Sequence, residues 1–359
     1  MAAGQTDPAT FIAALRDFKD PETGRGILDF DQLRCDQLTA ESVDLTLRLT
    51  THSAPIWNET RDALRERVQV KFPHLKQINI TLAVLDRPAQ PIGQIGLKAK
   101  SIIAVGSGKG GVGKSTLAVS IALGLKRAGC SVGLMDADVY GPSVPHLLGV
   151  GDQQPPPNLP IEPVKFEGMP VMSIGFFVPA NQAIIWRGPK LHGAVTQFLR
   201  DTNWGTLDYL IIDMPPGTGD VALTLSQLLP LTGCVIVCTP QEVALLDAVK
   251  AISMFRTVNI PVLGMVENMS GFLCPDNNQR YDIFGKGGAR QKAEELGLPF
   301  LGDVPITMSI REHGDAGETN SNFNDPQVAP YLEKICATLV RNLSQQAAIS
   351  PPMPSLPVL

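Results

Sequence analysis

No apolar run in this chain approaches the ~20 residues needed to span a bilayer, so a membrane partner is not expected. An excess of basic residues is also missing. Lys and Arg total 30 against 35 Asp and Glu, a formal net charge of -5, which argues against a general nucleic-acid binder because such proteins carry a basic face. The first residues, Met1 to Pro8, have neither the basic start nor the apolar core of a secretory signal, and a cytoplasmic protein is the expectation. The 6 cysteines, Cys35, Cys130, Cys234, Cys238, Cys274 and Cys336, are scattered in a way that excludes a disulfide framework, so reduced thiols are expected. Cys234 and Cys238 share one apolar strand pattern, which sets them about 13 Å apart. That is too far for one metal, and both read as small core residues.

What is present fits a large domain preceded by a smaller one, since 359 residues exceed the size at which one core stops growing. Residues 1–85 predict a small α+β domain. Phe11 to Leu15 with Phe18 has helical spacing that stops at Asp20-Pro21. Val43 to Leu49 alternates as a half-buried strand, Trp57 to Phe72 is helical, and Ile78 to Leu82 alternates again. His52, beside Ser53-Ala54-Pro55, reads as an exposed loop histidine.

Residues 86–100, with Pro88, Pro91, Gly93 and Gly96, have the composition of a linker. From 101 to 343, apolar strands alternate with longer helical segments, which predicts an α/β domain with a doubly wound, mostly parallel sheet. Its strands are 102–105, 131–135, 207–213, 234–238, 261–266 and 300–305. Gln153 to Pro163 reads as an exposed loop, and a final helix, Tyr331 to Leu343, carries Cys336 on its apolar face. Residues 344–359 are expected to be a disordered tail.

The chemistry concentrates at Gly108-Lys109-Gly110-Gly111-Val112-Gly113-Lys114-Ser115-Thr116, placed between a strand and a helix. Glycines allow successive backbone N–H groups to point inward, and the helix N-terminus adds partial positive charge, so a triphosphate is held mainly by main chain. Lys114 then reaches the β/γ-phosphates and Ser115 binds Mg²⁺, the P-loop arrangement with ATP as substrate. Lys109 is a second lysine within the loop. Asp136-Ala137-Asp138 and Asp213 stand at strand ends, where ligands of such sheets collect. A strand-terminal aspartate in a P-loop protein holds Mg²⁺ through water.

Together with Tyr140-Gly141-Pro142-Ser143, Trp186-Arg187-Gly188-Pro189 and Asp213-Met214-Pro215-Pro216-Gly217-Thr218-Gly219-Asp220, these stretches resemble the Mrp/ApbC family. Its members are P-loop ATPases of the MinD-like branch, regarded as carriers or scaffolds for iron–sulfur clusters. The resemblance covers roughly Ser101 to Leu343. The first domain looks like the small cluster-assembly domain often fused ahead of it, through Asp20-Pro21-Glu22 and the strand order.

The resemblance implies a homodimer in which Lys109 crosses to the partner's phosphates. It further implies that Asp138 positions the attacking water, that Asp136 and Asp213 serve Mg²⁺, and that Asn268 contacts adenine. Apo iron–sulfur proteins or cluster-assembly proteins are the implied partners. Cluster-carrying members have Cys-x-x-Cys after the Glu-Asn-Met-Ser segment. Here Cys274 matches the first cysteine and Asn277 replaces the second, while the first domain has Ala54-Pro55 where relatives often have cysteine before proline. Two copies therefore offer two thiolates at that place, short of the four of a [4Fe–4S] cluster. The alternative function is a MinD-like ATP-dependent dimerisation switch that recruits a protein and binds no cluster.

The two loop lysines separate by experiment. Lys114→Ala is expected to abolish nucleotide binding measured by calorimetry, while Lys109→Ala keeps most of the affinity and loses hydrolysis or ATP-driven dimerisation. Equal loss of affinity in both variants would exclude a role for Lys109 across a dimer.

Overall fold

A computed structural model describes residues 7–93, 95–138, 141–156, 159–177, 188–219, 222–223, 226, 231–277 and 279–349. The chain divides into two compact units. One runs to Arg87 and takes in the chain again from Val340, and the other is Pro88–Leu339.

The first unit begins with helix α1 (Pro8–Ala13). Strands β1 (Leu33–Leu38) and β2 (Ser42–Leu49) pair antiparallel, and β2 pairs parallel with β3 (Gln77–Val84). β2 shows the mechanism: Val43, Leu45, Leu47 and Leu49 are buried while the residues between them are not, as a two-residue period requires. Helix α2 (Trp57–Lys71) closes that face with Thr60, Leu64 and Val68, four residues apart. At its end, Phe72 stacks on Phe11 with ring centroids 4.4 Å apart.

One end of this unit carries a buried ionic cluster. Asp20 accepts hydrogen bonds from Gln32 Nε2 at 3.0 Å and Arg87 Nη2 at 2.7 Å, and Arg87 Nε donates to Glu22 at 3.1 Å. Burial pushes the Asp20 carboxyl upward, but Arg87 and the hydrogen bonds from Thr23 and Gln32 outweigh it and hold the group below its usual value. His52 corrects the expectation of an exposed loop residue. It lies in a 3₁₀ turn, Thr51–Ile56, and is buried.

The second unit is a nine-stranded sheet. β4 (Ala99–Ser107) lies between β8 (Leu207–Asp213) and β9 (Gly233–Cys238), parallel to both. β5 (Val132–Asp136) pairs on the far side of β8, and β10 (Val262–Leu273) on the far side of β9. Beyond β5 come β7 (Met169–Ser173) and, antiparallel to it, β6 (Val164–Phe166). β10 also pairs with β12 (Phe300–Ile306), in parallel, and with β11 (Arg280–Tyr281), antiparallel.

Every residue of β5, β8 and β9 is buried, as expected of strands covered on both faces. The chain leaves β4 through helix α3 (Lys114–Arg127) toward β5, and later returns to the other side of β4 as β9. The order therefore reverses beside β4, and a crevice opens at its carboxyl end.

Several expectations shift. The linker ends earlier than residue 100, because β4 starts at Ala99 and an isolated bridge joins Ile92 to Leu97. In the stretch 153–163, Ile161 is buried and pairs with Thr202, so part of the expected loop is pinned to the segment just after the helix Gly188–Asp201. The β6–β7 hairpin was not expected at all, being too short to show a period. The last helix runs Ala329–Ile349, so residues 344–349, expected in a disordered tail, are helical, because no proline or glycine stops the helix before Pro351. Residues 350–359 lie outside the described residues, as do Val139, Tyr140, Trp186, Arg187 and Asp220.

Helix α3 packs so closely that Gly124 has no room for a methyl group. A Cβ there would lie 2.6 Å from Cys336 Sγ and 3.1 Å from Phe323. Gly124→Ala gains helix propensity of about 1 kcal/mol but overpacks the core by about 1–3 kcal/mol. A net loss in urea unfolding is expected, and Cys336→Ala added to it should restore part of that loss. Additivity of the two changes would show that the steric contact is not the cause.

Candidate functional site

The glycine loop is held open by sterics at both ends. At Gly108 a Cβ would lie 2.1 Å from the backbone of Asp247, and at Gly113 2.1 Å from Asn268 Nδ2. Gly113 also has φ of 81° and caps α3, and Gly111 has φ of 77°, a region costly for residues with a side chain. Ser107 Oγ donates to the Lys109 carbonyl at 2.9 Å, and the Gly217 N–H donates to the Ser107 carbonyl at 2.9 Å. The second hydrogen bond ties the Met214-Pro215-Pro216-Gly217 segment to the loop.

The loop opens on a cavity of about 320 Å³. Lys109, Gly110, Gly111, Gly113, Lys114, Ser115, Thr116 and Asp138 line it, with Ser107, Gly141, Ser143, Leu147 and Pro216 completing the wall.

Three aspartates meet beneath it. Asp136 and Asp213 are register partners at the ends of β5 and β8. Lys114, only 6% exposed, places Nζ 2.5 Å from Asp213 Oδ1 and 3.5 Å from Asp138 Oδ2. The same ammonium donates to Ser115 Oγ at 3.2 Å. Asp213 Oδ2 and Asp138 Oδ1 are buried and have no hydrogen-bond partner among the described residues.

Burial raises Asp213 above the usual carboxylate range against the pull of Lys114. Burial, reinforced by the Asp213 charge, pushes Asp136 to about 8. Both Asp136 oxygens are committed. Oδ1 accepts from the Asp138 N–H at 3.0 Å, and Oδ2 accepts from the Val144 N–H and Ser173 Oγ, each at 3.1 Å. Asp136 thus sits behind Asp138 and does not line the cavity.

The remaining expected residues lie around this center. Lys109 is half-buried at the cavity rim, with no carboxylate partner among the described residues. Val112 is buried under the loop. Asn268 is buried too, and its Nδ2 donates to the Val112 carbonyl at 2.9 Å. Cys274 is not brought to the cavity. It is half-buried and opens the turn between β10 and β11, donating its N–H to the Gln279 carbonyl at 3.0 Å.

Asn277 is built into the same turn. Its Oδ1 accepts from the Gln279 N–H at 2.9 Å and its Nδ2 donates to the Tyr281 hydroxyl at 3.2 Å. Sequence reasoning missed Ser173 and Glu267. Glu267 is buried and accepts from Ser270 Oγ at 2.5 Å, the Gly287 N–H at 2.8 Å and the Ala289 N–H at 2.7 Å, anchoring the middle of β10 to the helix Gly288–Glu295. The signal was the charged residue at the end of an apolar strand.

Residues 98–340 match the ParA-type family described as NUBPL iron-transfer P-loop NTPase. The chain is 41% identical over 339 residues to the iron-sulfur cluster carrier protein of Deinococcus radiodurans, covering 94% of this chain and 93% of that one. It is 50% identical over 239 residues to the iron-sulfur cluster transfer protein NUBPL of Dictyostelium discoideum, covering 65% of this chain and 74% of that one. Among solved structures it resembles the nucleotide-binding protein of Archaeoglobus fulgidus in complex with ADP, at 39% identity and a TM-score of 0.57, covering 64% of this chain and 90% of that one. No helix among the described residues is long and apolar enough to cross a membrane.

Thiol accessibility follows from the burial. Burial raises the Cys238 and Cys336 thiols to about 12, with Glu267 adding to the first and Glu333 to the second, and raises Cys234 further. In native protein at pH 8, iodoacetamide should label Cys274 and, more slowly, Cys35, whose thiol is raised by partial burial and then by Asp36 and Asp44. Cys130, Cys234, Cys238 and Cys336 should react only after unfolding. Peptide mass spectrometry reads the pattern, and early labelling of the buried four would contradict this packing.

Proposed function

We propose, from the premise that this chain belongs to the NUBPL iron-transfer P-loop NTPase family, that it binds and slowly hydrolyses ATP and, as a homodimer, carries iron–sulfur clusters to apo-proteins. One observation supports the nucleotide half above all. A buried lysine at the first turn of α3 faces two aspartates beside a cavity walled by the glycine loop. That wall offers main-chain N–H groups and a helix N-terminus to phosphate oxygens. Lys114 stabilises the charge that develops on the β/γ-oxygens, and the Asp138 carboxylate lies where it can orient the attacking water.

The donor set also fits Mg²⁺. The unpartnered Asp213 Oδ2 and Asp138 Oδ1, with the Ser115 hydroxyl, are hard oxygen ligands of the kind this ion takes together with phosphates. When bound, Mg²⁺ supplies neutralisation of the phosphate charge. Asp136 acts behind these groups, holding the Asp138 backbone. Lys109, unpaired within its own chain among the described residues, is positioned at the rim to reach the phosphates bound by a second copy.

The cargo half of the proposal draws on the named relatives and on Cys274 in its half-buried turn. Each copy offers one thiolate there, because Asn277 is committed to hydrogen bonds of the turn and its neutral amide is a poor ligand for a sulfide cluster. The remaining ligands of a bridging cluster then come from small thiols or from the client's own cysteines. Such a cluster is held loosely, which suits transfer.

Anaerobic reconstitution with iron and sulfide tests this. The expected product is brown, with broad visible absorption that Cys274→Ala loses. Protein that stays colorless while still dimerising with ATP would refute cluster carriage and leave an ATP-dependent switch that recruits a protein.

A further inference from the structure

We infer that Asn268 is a positioning residue that transmits nucleotide occupancy of the glycine loop to the Cys274 turn along the end of β10. The inference rests on the loop's being the nucleotide cradle. Asn268 Nδ2 donates to the Val112 carbonyl at 2.9 Å, and it lies 2.1 Å from where a Cβ of Gly113 would stand. The amide thus fills the space that a side chain at position 113 would take and is hydrogen-bonded to the loop backbone. A change in the Val112–Gly113 peptide, whose neighbor Lys114 opens α3, must be followed by the Asn268 side chain.

Beyond Asn268 the strand is not a regular ladder. Met269 has φ of 56° and Gly271 has φ of 74°, both in the left-handed region, which a methionine rarely adopts. The pairing of β10 with β12 shifts register between Asn268 and Phe272. Backbone held in such a conformation by its surroundings is a local reservoir of strain. Only four residues separate Asn268 from Leu273, the last residue of β10.

The kinked stretch has one fixed neighbor and one that leads onward. Glu267 anchors the strand to the helix Gly288–Glu295 through the Gly287 and Ala289 N–H groups. Arg280 sits on the hairpin side. Its Nη2 donates to the Ser270 carbonyl at 2.5 Å, to Ser270 Oγ at 2.8 Å and to Asp303 Oδ2 at 3.3 Å. Its Nε lies 2.5 Å from a Cβ built on Gly271. Arg280 pairs with Leu273 in the β10–β11 ladder, next to Cys274. A path therefore runs from Val112 by a hydrogen bond to Asn268, along the backbone through Met269 to Ser270, and by hydrogen bonds from Ser270 to Arg280, the ladder partner of Leu273 beside the thiol. A shift of Ser270 reaches the turn through the guanidinium.

The test uses Cys274 as reporter and Cys35, in the sheet of the other unit, as control. Calorimetry first establishes Mg-ATP binding. Iodoacetamide labelling of each thiol is then timed with and without saturating nucleotide, by peptide mass spectrometry. In the wild type, nucleotide should change the Cys274 rate by about fivefold or more and leave Cys35 unchanged. Arg280→Ala, remote from the cavity lining, should bind Mg-ATP with unaltered affinity and lose the effect, with Arg280→Lys regaining part. Asn268→Asp, whose carboxylate repels the Val112 carbonyl, should lose it at nucleotide concentrations that saturate the variant. Lys109→Ala, once light scattering shows it monomeric with ATP, should keep it.

A Cys274 rate indifferent to bound nucleotide overturns the inference, as does an effect that survives Arg280→Ala. Loss of the effect in Lys109→Ala overturns it too, since protection would then come from the partner copy. Failure of the wild type to bind nucleotide refutes the cradle itself and is distinct from these outcomes.

Discussion

The structure depends on a lysine ammonium held under a glycine loop against carboxylates that have left water. Lys114 lies 2.5 Å from Asp213 in a site where both side chains are almost fully buried. Removing one partner of such a pair leaves a buried charge uncompensated, a loss of about 3–5 kcal/mol. A pair like this persists only where something else fixes the geometry. Here that frame is the parallel alignment of β4, β5 and β8, which brings Val105 and Asp136 into register with Asp213. The frame in turn requires strands that are apolar on both faces, and each supplies an uninterrupted run of buried residues.

Around that pair the acids divide their work by environment. Asp136 receives three hydrogen bonds and the least water, and burial beside Asp213 raises it to about 8. An unfolded Asp136 ionises near 3.8, the ordinary aspartate value, so between these values the folded form holds the extra proton. The stability associated with the neutral carboxyl is complete below the lower value and is lost as pH rises toward the upper one. Asp138, by contrast, keeps one oxygen without a partner among the described residues, at the cavity wall. Two residues apart in sequence, one acid braces the backbone and the other faces the cavity.

The turn at Cys274 shows the same economy with a different outcome. Asn277 follows Cys274 by three residues, and its amide satisfies the Gln279 N–H and the Tyr281 hydroxyl. The turn keeps its shape through hydrogen bonds of its own, without a metal to organise it. Under the proposed function, a thiol offered singly on such a turn favors an exchangeable cargo over a permanent one.

Much of this was legible in the sequence because it is local. The spacing of glycines and lysine between a strand and a helix requires left-handed backbone at Gly111 and Gly113 and a helix starting at Lys114, whatever lies elsewhere. Apolar runs ending in aspartate place Asp136 and Asp213 at strand ends by the same local logic. The sequence could not say which of three aspartates touches the ammonium, because that follows from register between strands far apart in the chain. It could not show that Asn268 supports the loop across 156 residues, that Ser173 and Val144 occupy Asp136, or that Asn277 serves its own turn. Short elements such as the β6–β7 hairpin were invisible because three to five residues carry too little period to read. Local backbone chemistry determined the cradle. Long-range strand pairing decided which side chains complete it, since a hydrogen bond between distant residues leaves no pattern in the order of the chain.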